Sequence, residues 1–306
     1  MSIPVLYIGG WGRSGSTLIG NILGSIDPFI HLGELVWIWE HGWKSNHLCG
    51  CGIQFQSCSF WKSVLDDFLE KNRSVDIDKI IFVRNRYFMS NINFLKLMLG
   101  KINDEIEEYL YYVHQLYKSI WSKSESKVIV DSSKVAFHFL ALSMINDIEL
   151  YLIHLVRDAR GCAYSWCKHI YREDAESGKK IPFVQYSPAF STSRWCLYNT
   201  FFEIFKSKSC KHALIKYESF IRDITSYIKC FMSMLGVEKI KCCDVMDGDG
   251  NVKIGINHTV WGNPSRLKRG KIKIRLDDAW RREMPWKDRL VVTALAWPWL
   301  LKYGYL

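Results

Sequence analysis

The sequence predicts an α/β fold in three layers, a central parallel sheet between helices, with a helical insertion at about residues 40–125. Three observations carry this expectation. A β-branched apolar run at 5–8 breaks into a glycine-rich turn, and Leu18, Ile19, Ile22 and Leu23 follow at helical spacing. Two further buried-strand patterns, at 127–131 and 149–156, each run into a polar turn and another helix. Strands that alternate with helices in this way favour parallel pairing, and the 306 residues are read as a single domain.

The first turn is Gly9-Gly10-Trp11-Gly12-Arg13-Ser14-Gly15-Ser16-Thr17. Strand, glycine-rich turn and helix N-terminus make an anion site, because free backbone N–H groups and the positive end of the helix dipole converge there. Gly10, Gly15 and Thr17 keep the spacing G-x-x-x-x-G-K-[ST], so the expected fold is P-loop-like, yet Ser16 stands where the lysine would be. A kinase without that lysine lacks its contact to the β/γ-phosphates. Arg13 instead offers a planar guanidinium suited to bidentate capture of phosphate or sulfate. The plainer alternative is a tight turn bearing a surface arginine.

The segment GRSGSTL, residues 12–18, resembles the 5′-phosphosulfate-binding loop of sulfotransferases that use 3′-phosphoadenosine 5′-phosphosulfate (PAPS). The likeness is to a bacterial branch similar to the tyrosylprotein and carbohydrate enzymes. It implies that Gly12, Arg13, Ser14, Gly15, Ser16 and Thr17 hold the donor. It also implies that Glu34, in a glycine-glutamate pair 21 positions after Arg13, is the catalytic base. A glutamate that merely compensates a helix dipole is the alternative, since a helix is expected through residues 36–39.

The insertion begins with a cysteine-rich turn. His47, Cys49, Cys51 and Cys58 lie within a dozen residues and could ligate zinc. The C-x-C spacing departs from the usual C-x₂₋₄-C, so partly buried thiols, or a Cys51–Cys58 bridge under oxidation, are the competing readings. Helices are expected at 59–70, within 80–99 and at 104–122. The last opens with Asp104, Glu105, Glu107 and Glu108, well placed against its dipole. Its aromatics Tyr109, Tyr112, Tyr117 and Trp121 are core by default, with some available to wall an acceptor cavity.

The strand at 127–131 ends in Ser132-Ser133-Lys134, a polar cluster at the carboxyl edge of the sheet, where open α/β folds bind ligands. Lys134 could therefore reach the transferring group, where the resemblance places it beside the leaving oxygen; a lysine that merely helps start a helix is the alternative. After the strand at 149–156, VRDARGCAYSW resembles the segment that grips the 3′-phosphate, implying Arg157 and Ser165 for that role, with Asp158 as N-cap. A polar loop is expected at 173–188, then a helix at 191–208 and a strand at 212–216. Tyr217-Glu218 resembles the turn whose tyrosine contacts adenine. A helix at 221–235 stops at Gly236. Arg266, Lys268, Arg269 and Gly270 resemble the C-terminal loop that closes over the 3′-phosphate; which cation makes the contact is left open, and a solvated basic loop is the alternative.

A formal charge of +10 suggests an anionic ligand. The basic residues are spread along the chain, which argues against a nucleic-acid stripe. The apolar run at 290–301 carries Pro298 and is too short to span a bilayer. Ten cysteines without a recognisable secretory signal suggest a reducing, cytoplasmic setting. Together these imply transfer of a sulfuryl group from PAPS to a hydroxyl of a small molecule, glycan or peptide, with no metal required. A P-loop kinase and a non-catalytic nucleotide-binding module are the rival classes.

Overall fold

The computed structural model describes residues 2–89, 96–125, 127–173, 180–206, 211–237, 246–247 and 249–306. Its centre is a five-stranded sheet of order β2-β3-β1-β4-β7, all parallel: β1 (Ile3–Gly10), β2 (Phe29–Gly33), β3 (Val128–Lys134), β4 (Ile148–Val156) and β7 (Lys211–Lys216). Two short antiparallel strand pairs lie outside it, β5 (Tyr171–Glu173) with β6 (Lys180–Pro182), and β8 (Asn251–Ile254) with β9 (Gly270–Lys273).

β1 is central and covered on both faces, which is why it reads as an unbroken apolar run rather than an alternating one. Its odd residues Val5 and Tyr7 enter one core and its even residues Leu6 and Ile8 the other. The first core lies under α2 (Ser59–Lys71), α3 (Ile77–Val83), α4 (Asp104–Lys123) and α5 (Ala136–Ser143). The second lies under α1 (Ser16–Leu23), α8 (Tyr217–Arg222) and α9 (Ile224–Met234). A third cluster, around the buried Trp195 and Trp280, joins α6 (Ala159–Cys167), α7 (Pro188–Phe205), α10 (Trp280–Glu283) and α11 (Trp286–Lys302). Pro298 sits inside α11, and no helix among the described residues is long and apolar enough to cross a membrane.

The helix starts have local causes. Asn103 accepts from the Ile106 amide, Asp158 from Arg160, Ser187 from Phe190 and Asp223 from Ser226, each satisfying an N–H that the helix leaves open. One expected helix takes another form. After Glu34 the chain makes a 3₁₀ turn (Leu35–Trp37) and then a π-helix (Ile38–Lys44). Tertiary bonds hold its first turn: the Val36 amide, which a helix start would leave open, donates to Ser133 Oγ at 3.1 Å, and the Val36 carbonyl, which an α-helix would use, accepts from Arg84 Nη1 at 2.6 Å. The helix expected within 80–99 is α3 with a further π turn (Arg84–Phe88), and its continuation falls partly at residues 90–95, outside the described residues. Much of the 173–188 loop, at 174–179, also lies outside them.

Candidate active site

Five side chains singled out from the sequence each stand at or just past the carboxyl end of a different strand of the main sheet. Glu34 follows β2, Lys134 ends β3, Arg13 follows β1, Arg157 follows β4 and Tyr217 follows β7. In sheet order they read Glu34, Lys134, Arg13, Arg157, Tyr217. Four gaps at ~4.8 Å per strand put about 19 Å between the two ends of this row. All five residues line one cavity of about 790 Å³, together with Gly12, Gly15, Ser16, Thr17 and Ser165.

The loop after β1 is shaped by its neighbours. Gly15 has φ of 96°, and a Cβ there would sit 2.5 Å from the Tyr217 ring, so only glycine lets α1 begin at this point. Among the described residues no side chain caps α1, and its first turn carries no acid, which leaves the N–H groups and dipole for an anion. Arg13 is itself left-handed at φ 68°, an unusual state for a residue with a side chain. Its guanidinium lies between the Trp166 and Phe183 rings, 4.8 and 4.7 Å from their centroids. Among the described residues Arg13 Nε is buried without a hydrogen-bond partner. Burial lowers this guanidinium to about 10, against the opposing pull of Glu34, so it stays charged at neutral pH.

At the β2–β3 end, Lys134 Nζ donates to Glu34 Oε1 at 2.6 Å and to the Ser132 carbonyl at 2.8 Å. Among the described residues no protein group donates to the other carboxylate oxygen of Glu34. Lys134 shares the left-handed backbone, at φ 64°. Behind the pair, the fully buried Asp131 accepts from the Tyr117 hydroxyl at 2.6 Å and from the Ser133 amide at 2.8 Å. Burial pushes its carboxyl up, but hydrogen bonds from His138, Ser133 and Tyr117 hold it below the ordinary range. Asp131 also accepts from the Ser133 hydroxyl, which in turn accepts from the Val36 amide, so this chain of bonds sets the backbone two residues beyond Glu34.

At the other end, Arg157 Nη1 donates to the Arg13 carbonyl at 3.0 Å, and Nη2 to the carbonyl and Oδ2 of Asp277 at 2.7 and 3.0 Å. Its guanidinium stacks 4.8 Å from the Tyr217 centroid. Arg157 thus braces the anion loop as well as facing the cavity. Ser14, buried at 1% exposure, lies against Cys162 rather than on the cavity wall.

The C-terminal basic loop sits elsewhere. Arg266 is buried and donates to the carbonyls of Thr259, at 2.8 Å, and Leu48, while Arg269 donates to the Gly50 carbonyl at 3.0 Å. Neither they nor Gly270 line the cavity; Ser265 and Asp277 reach it from this part of the chain. Tyr109, Tyr112, Tyr117 and Trp121 lie in or against the core instead of the cavity, whose aromatic wall comes from residues such as Trp11, Trp37, Phe137, Tyr198 and Trp261. Periodicity marks these only as apolar, so nothing local separates a wall from a core. Cys49, Cys51 and Cys58 do converge, but the imidazole beside them is His258; His47 packs near Trp261, with ring centroids 5.1 Å apart.

No protein-family model and no curated protein matches this sequence. Solved structures do match. The sulfotransferase domain from the curacin biosynthetic pathway superposes with a TM-score of 0.52 over 97% of this chain and 96% of that one, at 16% identity. A sulfotransferase from Mycobacterium avium gives a TM-score of 0.47 over 98% of this chain and 76% of that one, at 10% identity. The first of these likenesses spans nearly the whole of both chains, and what it establishes is the fold: the three-layer, P-loop-like α/β arrangement of a sulfotransferase.

Proposed function

We propose that the chain transfers a sulfuryl group from PAPS to an acceptor hydroxyl, yielding 3′,5′-ADP and a sulfate ester. The observation that carries this is the single cavity bordered by the uncapped anion loop, by Arg157 with Ser165 on one side and by the Glu34–Lys134 pair on the other. The residues present fit the donor. The buried Arg13 Nε, without a partner among the described residues, and the open N-terminus of α1 ask for an anion, and Ser16 in the lysine position of a P-loop disfavours ATP.

When bound, PAPS supplies the activated sulfuryl group. Arg13, Ser16, Thr17 and the α1 amides hold its 5′-phosphosulfate, Arg157 and Ser165 its 3′-phosphate, and Tyr217 lies beside adenine. Glu34 takes the proton of the acceptor hydroxyl as the O–S bond forms. Lys134 and Arg13 stabilise the negative charge that collects on the leaving phosphate oxygen as its bond to sulfur breaks. Held on adjacent strand ends, these groups need little rearrangement during the reaction. The aromatic walls favour an acceptor whose hydroxyl is carried on an apolar or aromatic body.

Incubation with PAPS and a panel of phenols, alcohols, glycans and tyrosine peptides, read by mass spectrometry, tests this directly. Sulfated product from at least one acceptor is expected, with apolar phenols turned over best. Phosphorylated product from ATP with magnesium, and no sulfated product from PAPS, would replace this reading with a kinase.

A further inference from the structure

We propose that Cys49, Cys51, Cys58 and His258 form a structural zinc site that ties the cysteine-rich turn to the segment walling the candidate active site. Their ligand atoms all lie within 4.8 Å of one another. Cys51 Sγ is 3.6 Å from Cys58 Sγ, and His258 Nδ1 is 3.7 Å from Cys49 Sγ and 3.2 Å from Cys58 Sγ. A tetrahedral zinc with bonds of ~2.3 Å to sulfur and ~2.0 Å to nitrogen requires ligand–ligand edges of about 3.5–3.8 Å. The four groups are therefore spaced for one ion. They are too far apart for a sulfur–sulfur bond of ~2.05 Å.

Three thiols and one imidazole form a complete protein coordination set, the mark of a structural rather than a catalytic zinc. Cys49 and Cys58 are buried, with Cys51 and His258 half-buried over them. None of the four lines the active-site cavity. The turn is built to present its sulfurs: Cys49 N donates to the Ile53 carbonyl at 2.7 Å, Gly52 N to Cys49 at 2.8 Å and Cys58 N to Gln54 at 3.0 Å. Chance packing of free thiols would not require a histidine 200 positions away to bring a ring nitrogen among them.

The ion's place in the fold gives it a task. The turn already meets the 258–259 segment through Gly50 N to the Thr259 carbonyl at 2.8 Å and Trp61 Nε1 to the His258 carbonyl at 2.8 Å. Trp261 and Gly262, just beyond His258, line the cavity, and Gly262 abuts Glu34. A metal at Cys49, Cys51, Cys58 and His258 anchors that wall from outside. Zinc binding to such a set releases thiol protons and contributes directly to folding stability.

The test uses untagged full-length protein, purified under reducing conditions without chelator and analysed for metal by mass spectrometry. About one zinc per chain is expected, and cobalt(II) exchanged into the site should show the absorption of tetrahedral thiolate coordination. His47→Ala and His258→Cys should both keep about one metal per chain, whereas Cys51→Ser should lose it several-fold more readily to a competing chelator. If Cys51→Ser does not fold, the wild-type stoichiometry, the cobalt spectrum and His258→Cys decide. Folded, reduced wild-type protein that holds no zinc and takes up neither zinc nor cobalt overturns the proposal. So does a metal that His47→Ala removes and His258→Ala leaves in place.

Discussion

Lys134 Nζ donates to Glu34 Oε1 at 2.6 Å, joining the ends of two adjacent strands across 100 residues of sequence. Each side chain is only 13% exposed, so the pair is held in place rather than exchanged freely with water. A carboxylate fixed in this way, with one oxygen free of protein donors among the described residues, is open to a hydroxyl in the cavity.

Replacing Glu34 with Gln keeps the size and still offers Lys134 an acceptor, but removes the proposed base. Turnover should fall roughly 10²- to 10⁴-fold, the usual contribution of a positioned base. The thermal shift given by 3′,5′-ADP should not change, because the proposed role of the carboxylate is toward the acceptor and not the nucleotide. Near-normal turnover by Glu34→Gln would rule this role out. No histidine stands in for it from His154 or His258, neither of which lines the cavity.

Lys134→Ala and Lys134→Gly remove the same contacts but differ in backbone freedom. At φ 64° an alanine bears the left-handed strain of roughly 1–2 kcal/mol that glycine escapes. Both variants should lose turnover equally, while Lys134→Gly should be the more stable by about 1 kcal/mol in urea unfolding. Equal stabilities would show that the strand end relaxes when the lysine is lost.

Recognition of the 3′-phosphate is separable from recognition of the rest of the nucleotide. Thermal shift should show clear stabilisation by 3′,5′-ADP and little by AMP or ATP, reaching about 2.7 kcal/mol at a hundredfold excess over Kd. Ser165→Ala should weaken the preference and Arg157→Ala abolish it. The serine variant matters because Arg157 also holds the Arg13 carbonyl, so its loss loosens the loop as well. Equal shifts from AMP and 3′,5′-ADP would remove the donor assignment.

Acid should destabilise the fold well above the carboxylate range. His31 is buried between Asn21 and Ser132, and burial lowers its pKa to about 3. An unfolded histidine titrates near ~6.5, so between those values the unfolded chain binds more protons and stability falls as pH falls. The slope per histidine approaches about 1.4 kcal/mol per pH unit. His154, lowered by burial to about 4, acts in the same direction. Denaturant midpoints measured from pH 7 to 5 should drop for the wild type and drop less for His31→Gln.

The parts legible from sequence are those with local causes. β1, β3 and β4 announce themselves as short apolar runs, and the anion loop as glycines at set spacing before a helix. Asp158 reads as an N-cap from its place after a strand, and accepts the Arg160 amide as expected. β2 was not legible, being five residues after Pro28 with no alternation to mark it. The turn after Glu34 was not either, because its backbone groups answer to Ser133 and Arg84 from distant segments.

The cysteine cluster divides in the same way. Its thiols fall in one turn and are visible at once, but the histidine beside them is the one that folding brings from position 258, not the nearby His47. Arg266 looks like an anion-binding residue in a basic loop, yet the carbonyls of Leu48 and Thr259 take its guanidinium.

By itself the sequence determined the anion loop and the residue types that flank it, since hydrophobic period, glycine placement and charge act over a few neighbouring positions. Tertiary structure alone decided their order in space. The strand order β2-β3-β1-β4-β7 sets Glu34 beside Lys134 and Arg157 beside Arg13, because parallel strands pair through long crossovers whose outcome depends on packing across the whole domain.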